Sequence, residues 1–114
     1  MTKALIVLHA AADASDYRAL TALRLAGALM ADNKDVDLFL VEAGARLVDP
    51  ALDAEHPCRS LFDEMLEVGM RVYVCGATMR KLGLDEGAFP PGVTRSSMKA
   101  LSALMSEAEE IISF

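Results

Sequence analysis

Met70-Arg71-Val72-Tyr73-Val74-Cys75-Gly76-Ala77-Thr78-Met79-Arg80-Lys81-Leu82-Gly83 decides the fold. Met70 to Cys75 is an apolar run with β-branched and aromatic members, the pattern of a buried strand. Gly76 breaks it. Ala77 to Leu82 then reads as a short helix, stopped by Gly83. A strand that passes straight into a helix is half of a βαβ unit.

The same grammar extends upstream. Cys58 to Val68 reads as a helix with Pro57 near its first turn, an apolar stripe of Leu61, Met65 and Val68, and Gly69 as its stop. Asp49 to Pro57 carries Pro50 and Pro57 and reads as loop, after a short helical turn at Arg46 to Val48. Val36 to Val41 is a second buried strand, ended by Glu42-Ala43-Gly44. Before the polar turn Asp32 to Asp35, a helix spans roughly Asp16 to Ala31, with Ser15 or Asp16 as its cap. Leu20, Leu23, Gly27 and Met30 give it one apolar face; Ala22, Leu25, Ala26 and Leu29 give it another. One sheet covers only one such face, so the second is expected to meet another helix or another subunit. Lys3 to Leu8 is the first strand, apolar on both faces.

Downstream, Leu84 to Gly92 is loop, and Val93-Thr94 reads as a very short strand. Ser96 or Ser97 caps a last helix that runs to about Ala108. Ile111 to Phe114 closes the chain as a strand. The expectation is an α/β domain over residues 1–114: a small three-layer fold, a mostly parallel sheet of about five strands flanked by helices, with strands in flavodoxin-like order.

The 114 residues make room for one domain and a core that needs no staples. With 11 Lys and Arg against 17 Asp and Glu, the net charge of −6 argues against nucleic acid and anionic membrane surfaces as partners. No apolar stretch is long enough to span a bilayer. The opening run Ala4 to Leu8 stops at His9, short of a secretory signal. Only two cysteines occur, Cys58 and Cys75, which suits a reducing, cytoplasmic setting.

Ligands of open α/β sheets bind at the carboxyl ends of strands. Cys75 ends a strand before a helix N-terminus, where unpaired amides favour a thiolate, with Arg80 and Lys81 within about a turn. Gly76 lets a partner atom approach closely. The alternative is an inert core cysteine. Cys58 reads as structural. His9 faces Cys75 if the first and third strands are neighbours, and then serves as proton shuttle or thiolate partner; otherwise it is a loop residue. The two His and two Cys have no metal-ligand spacing, so no metal is expected. Neither GxGxxG, GxxxxGK[ST] nor GxSxG occurs.

The stretch Val72 to Leu84, with its strand, Cys75 and Gly76, resembles the cysteine loop of the DsrE/DsrF-like proteins, the TusD/YchN-like sulfur-relay family. Lys3 to Leu8, Arg18 to Leu40 and the ending Gly92 to Phe114 are similar as well, so the resemblance covers nearly the whole chain. It implies a small α/β fold assembled as a homo-oligomer, trimer or hexamer. It also implies an intracellular sulfur-relay protein, a sulfurtransferase-like persulfide carrier that takes sulfane sulfur on Cys75 and passes it between donor and acceptor proteins without any cofactor. Some relatives carry a second cysteine three residues later. Thr78 stands there in this chain, so a disulfide across the loop is excluded. Beside Cys75, the supporting residues are Gly76, His9 and Thr78. The alternative is a non-catalytic oligomeric assembly or ligand-binding subunit of the same fold, for which the doubly apolar Asp16–Ala31 helix speaks.

Overall fold

Strands and helices alternate along the computed structural model, which describes residues 2–13, 17–85, 87 and 89–114. In chain order the elements are β1 (Lys3–Leu8), α1 (Arg18–Ala31), β2 (Asp35–Leu40), a 3₁₀ segment (Glu42–Val48), α2 (Pro57–Glu67), β3 (Arg71–Cys75), α3 (Gly76–Leu82), β4 (Val93–Ser96), α4 (Met98–Glu107) and β5 (Glu110–Ser113). The five strands form one sheet, parallel throughout. The expected α/β architecture is therefore the observed one.

The strand order is β4-β3-β2-β1-β5, which corrects the flavodoxin-like order. β2 lies between β1 and β3, so the first and third strands are not neighbours. Helix and strand periodicities are local. The direction in which each crossover steps is not, which is why the order escaped the sequence. β1, β2, β3 and β4 follow one another in a single direction; the chain then returns across the whole sheet to place β5 beside β1. Parallel crossovers have a fixed hand, so reversing the direction moves the connecting helix to the opposite face.

The packing agrees. One face of the sheet buries Ile6, Leu8, Leu38, Leu40, Val72 and Val74 against α1 and α2. The other buries Leu5, Val7, Phe39 and Val41, with Leu101, Leu104 and Ala108 of α4 packed over them. Alternation along β2 sends Leu38 and Leu40 one way and Phe39 the other, so both faces of a central strand are apolar. On the α4 side, the Phe39 and Tyr73 rings stack with centroids 6.2 Å apart. On that same face the buried Asp37 carboxylate accepts a 2.7 Å bond from Arg71 Nε.

Three local details differ from expectation. Ser15 and Asp16, the expected caps of the first helix, lie outside the described residues; α1 begins at Arg18, after Tyr17 in left-handed backbone with φ 59°. The apolar face of α1 that carries Gly27 meets α2, where Gly27 sits against Met65, and so gives no argument for a subunit contact. Apolar surface is left open on the α4 side, where no residue of α4 is fully buried and Met98, Met105 and Ile111 stay 53%, 43% and 45% exposed, and also at Tyr17, Val68 and Leu82.

The turn after β2 is drawn against the end of β1. The Val41 N–H donates to the Leu8 carbonyl at 3.1 Å. A Cβ on Gly44 would come within 2.1 Å of the same carbonyl oxygen. Glycine is required here by the approach of another backbone.

Candidate functional site

Alternation along β3 sends Val72 and Val74 toward α1 and α2, and Tyr73 and Cys75 toward α4. Cys75 is the last residue of its strand and the residue before α3, where its side chain makes no capping hydrogen bond. It belongs instead to the buried cluster that Leu5, Val7, Phe39 and Val41 form on the α4 face, and the residue is 6% exposed. The polarity expected from a capped helix start is thus not supplied by a bond to Sγ.

Cys75 is nonetheless not sealed, for a topological reason. α3 leaves β3 toward the α1/α2 side, where Met79 joins that core. α4 leaves the neighbouring strand β4 toward the other side. Where adjacent strands send their connections to opposite faces, a crevice opens at their carboxyl ends. Cys75 and Ser96 are register partners at its lips.

Two clefts reach Cys75 there. One, of about 230 Å³, is lined by Val41, Glu42, Cys75, Thr78, Lys81 and Met98. The other, of about 280 Å³, is lined by Cys75, Gly76, Arg80, Arg95, Ser97 and Met98. Ala77 and Met98 line both, together with Cys75. A larger groove of about 500 Å³ lies at the opposite ends of the strands, between α1 and α2, and its lining, which includes Met30, Met65, Val68, Lys34 and Asp35, contains no thiol.

Gly76 is buried beneath Arg95. A Cβ there would lie 2.8 Å from Arg95 Nε and 3.2 Å from Nη2. The glycine admits a guanidinium rather than a second sulfur. Thr78 is 4% exposed, and its Oγ1 accepts a 3.1 Å hydrogen bond from the Glu42 N–H. Glu42 has φ 50°, a left-handed conformation that costs a non-glycine residue about 1 kcal/mol or more. Its carboxylate pairs with Lys81 Nζ at 3.7 Å, with both side chains exposed. Thr78 therefore holds the turn that walls one cleft.

His9 is exposed at the end of β1 and donates its backbone N–H to the Phe114 carbonyl at 2.7 Å. With β2 between β1 and β3, the arrangement in which His9 faces Cys75 is not formed. Cys58 packs on the α1/α2 side of the sheet, opposite Cys75. Its Sγ donates to the Ala12 carbonyl at 3.4 Å, its N–H donates to His56 Nδ1 at 3.2 Å, and burial pushes its thiol pKa up. Both cysteines are free. Among the described residues, no three His, Cys, Asp or Glu side chains converge as metal ligands would.

Sequence reasoning singled out Cys75, Gly76 and the strand-end position of Glu42. It missed Arg95 and Met98. Arg95 sits on a four-residue strand with no motif around it, and Met98 has the spacing of an ordinary core residue.

Comparison with known proteins agrees with this architecture. The uncharacterized protein MK0008 of Methanopyrus kandleri is 30% identical over 99 residues, covering 85% of this chain and 82% of that protein. The uncharacterized protein MJ0989 of Methanocaldococcus jannaschii is 28% identical over 102 residues, covering 85% and 87%. Among solved structures, the ychN protein from E. coli superposes with a TM-score of 0.88 at 20% identity, over the whole of both chains. MTH1491, a protein of unknown function from Methanobacterium thermoautotrophicum, superposes with a TM-score of 0.81 at 17% identity, again over both chains entirely. The DsrE/DsrF-like family model matches residues 2–114, and the chain belongs to that family.

Proposed function

We propose that this chain is a sulfur-relay protein that carries sulfane sulfur as a persulfide on Cys75. The observation that supports the reading is the place of that thiol: at a strand end, on the crevice between α3 and α4, with two clefts leading to it. The Cys75 thiolate attacks the outer sulfur of a donor persulfide, R–S–SH. A bond forms between Sγ and that sulfur, the donor's S–S bond breaks, and R–S⁻ leaves with the bonding pair. The proton stays on the transferred sulfur, and oxidation states balance without an external oxidant. A thiolate of an acceptor protein then repeats the displacement on the Cys75 persulfide. Gly76 and Thr78 support the site by admitting Arg95 and by holding the Glu42 turn. No metal or organic cofactor enters either step. The setting is a reducing one, the cytoplasm, where two unpaired buried thiols persist. Among the described residues, no helix is long and apolar enough to cross a membrane.

The working form in this reading is a homo-oligomer, trimer or hexamer. The open α4 surface with Met98, Met105 and Ile111 supports that assembly. Light scattering at micromolar concentration then gives more than one chain per particle; a clean monomer removes it. The central test is intact mass after incubation with a persulfide donor. Wild type gains one sulfur, reversibly with a thiol reductant, and Cys75→Ser gains none. An adduct that survives Cys75→Ser, or none on the wild type, refutes the carrier.

A further inference from the structure

We propose that the cleft between Arg80 and Arg95 is a binding site for a small anionic sulfur donor, a low-molecular-weight persulfide that bears a carboxylate. The proposal rests on the carrier reading of Cys75 and adds the chemical class of what reaches it.

The argument begins with charge. In a chain of net charge −6, a cation normally finds a carboxylate. Lys3, Lys34, Arg46, Arg59, Arg71 and Lys81 each pair with one. Among the described residues Arg24, Arg80, Arg95 and Lys99 have no carboxylate partner, and of these Arg80 and Arg95 line the cleft that holds Cys75. Arg95 lies over a glycine there, and a Cβ at position 76 would make its guanidinium shift. The second approach to Cys75 is different in kind: there Lys81 is already neutralised by Glu42. The two mouths thus differ in charge, and an anion is attracted through one of them. A guanidinium matches the planar, two-oxygen face of a carboxylate. A volume of about 280 Å³ suits a molecule of few heavy atoms. In the transfer step the carboxylate stays with the arginines, the outer sulfur bonds to Cys75 Sγ, and the remaining thiolate leaves through the same mouth.

The test compares alkylating reagents of equal size and unlike charge, iodoacetate and iodoacetamide, with Cys75 labelling followed by peptide mass on the folded full chain. Arg80→Gln and Arg95→Gln each lower the ratio of the iodoacetate rate to the iodoacetamide rate about threefold, the effect of one charge at roughly 7 Å in a water-like dielectric. The iodoacetamide rate carries any change in thiolate fraction, which both reagents share, and an unchanged circular dichroism spectrum shows that the variants fold. Arg24→Gln, the same charge change on α1 across the sheet, leaves both rates unchanged. A ratio that ignores both arginines, or that responds equally to Arg24, overturns the site. Cys75 unlabelled by either reagent overturns the site and the carrier together. The ligand class is then read with 3-mercaptopropionate persulfide against cysteamine persulfide as sulfur donors. Transfer is faster from the carboxylate, and the preference disappears in the arginine variants. Equal transfer from both overturns the anionic donor while the carrier stands. Transfer from neither overturns the carrier, and the assigned donor falls with it.

Discussion

Replacing Thr78 by valine removes one oxygen from the site and changes almost nothing else in shape. The Glu42 N–H then loses its 3.1 Å acceptor. A buried donor left unpaired costs about 1–3 kcal/mol. Glu42 itself is exposed, so water reaches the turn and the lower end applies, about 1 kcal/mol. Glu42 is also held at φ 50°, and letting the turn relax recovers part of that strain, which keeps the loss from growing. For a domain of this size, 1 kcal/mol lowers Tm by about 4 °C. Urea unfolding followed by circular dichroism measures it, with an unchanged m-value showing that only stability moved. Thr78→Ser retains the acceptor and keeps most of the wild-type midpoint. Because the turn walls the cleft at Cys75, Thr78→Val also speeds iodoacetamide labelling, whereas Thr78→Ser does not. A valine variant as stable as the serine variant, with unaltered labelling, would refute the assignment of Thr78 to this turn.

Two further outcomes follow from geometry. Gly44→Ala places a carbon 2.1 Å from the Leu8 carbonyl oxygen, so the β1 and β2 ends must separate; a loss of about 3 kcal/mol or an insoluble product is expected, and a midpoint within 1 kcal/mol of wild type contradicts it. Burial raises the folded-state pKa of Cys58, so the unfolded chain releases that proton first: stability is flat below the ordinary thiol value of 9.0, then falls as pH rises toward the raised folded value. In Cys58→Ala this alkaline decline is shallower in urea titrations across pH 8 to 11, roughly the span that brackets the thiol, and an identical slope refutes the contribution.

Much of the fold was legible because its signals are local. β1, β2 and β3 are apolar runs between breakers, and Pro57 and Ser97 mark helix starts. Cys75 was legible as a strand-end cysteine for the same reason. The strand order was not, because no residue between Leu8 and Asp35 states whether β2 lies left or right of β1. That one missing fact displaced His9 from the site, since its role depended on β1 touching β3. It also hid Arg95, whose importance exists only once β4 lies beside β3 and brings it over Gly76. The doubly apolar α1 was ambiguous by nature: its two faces ask for two covers, and the pattern does not say whether another helix or another chain supplies the one that the sheet leaves. Here α2 does.

The lightly anchored α4 has a consequence for how this protein tolerates change. Its hold on the sheet comes from half-buried Leu101, Leu104 and Ala108, while the opposite layer is locked by Phe62, Leu23 and their fully enclosed neighbours. Fluctuations that lift the thin layer require far less than global unfolding. In the carrier reading, robustness and reactivity are therefore housed on separate sides of the same β-sheet. Substitutions among the enclosed residues tune how long the molecule survives, and substitutions along the lifted edge tune how often its sulfur meets the outside.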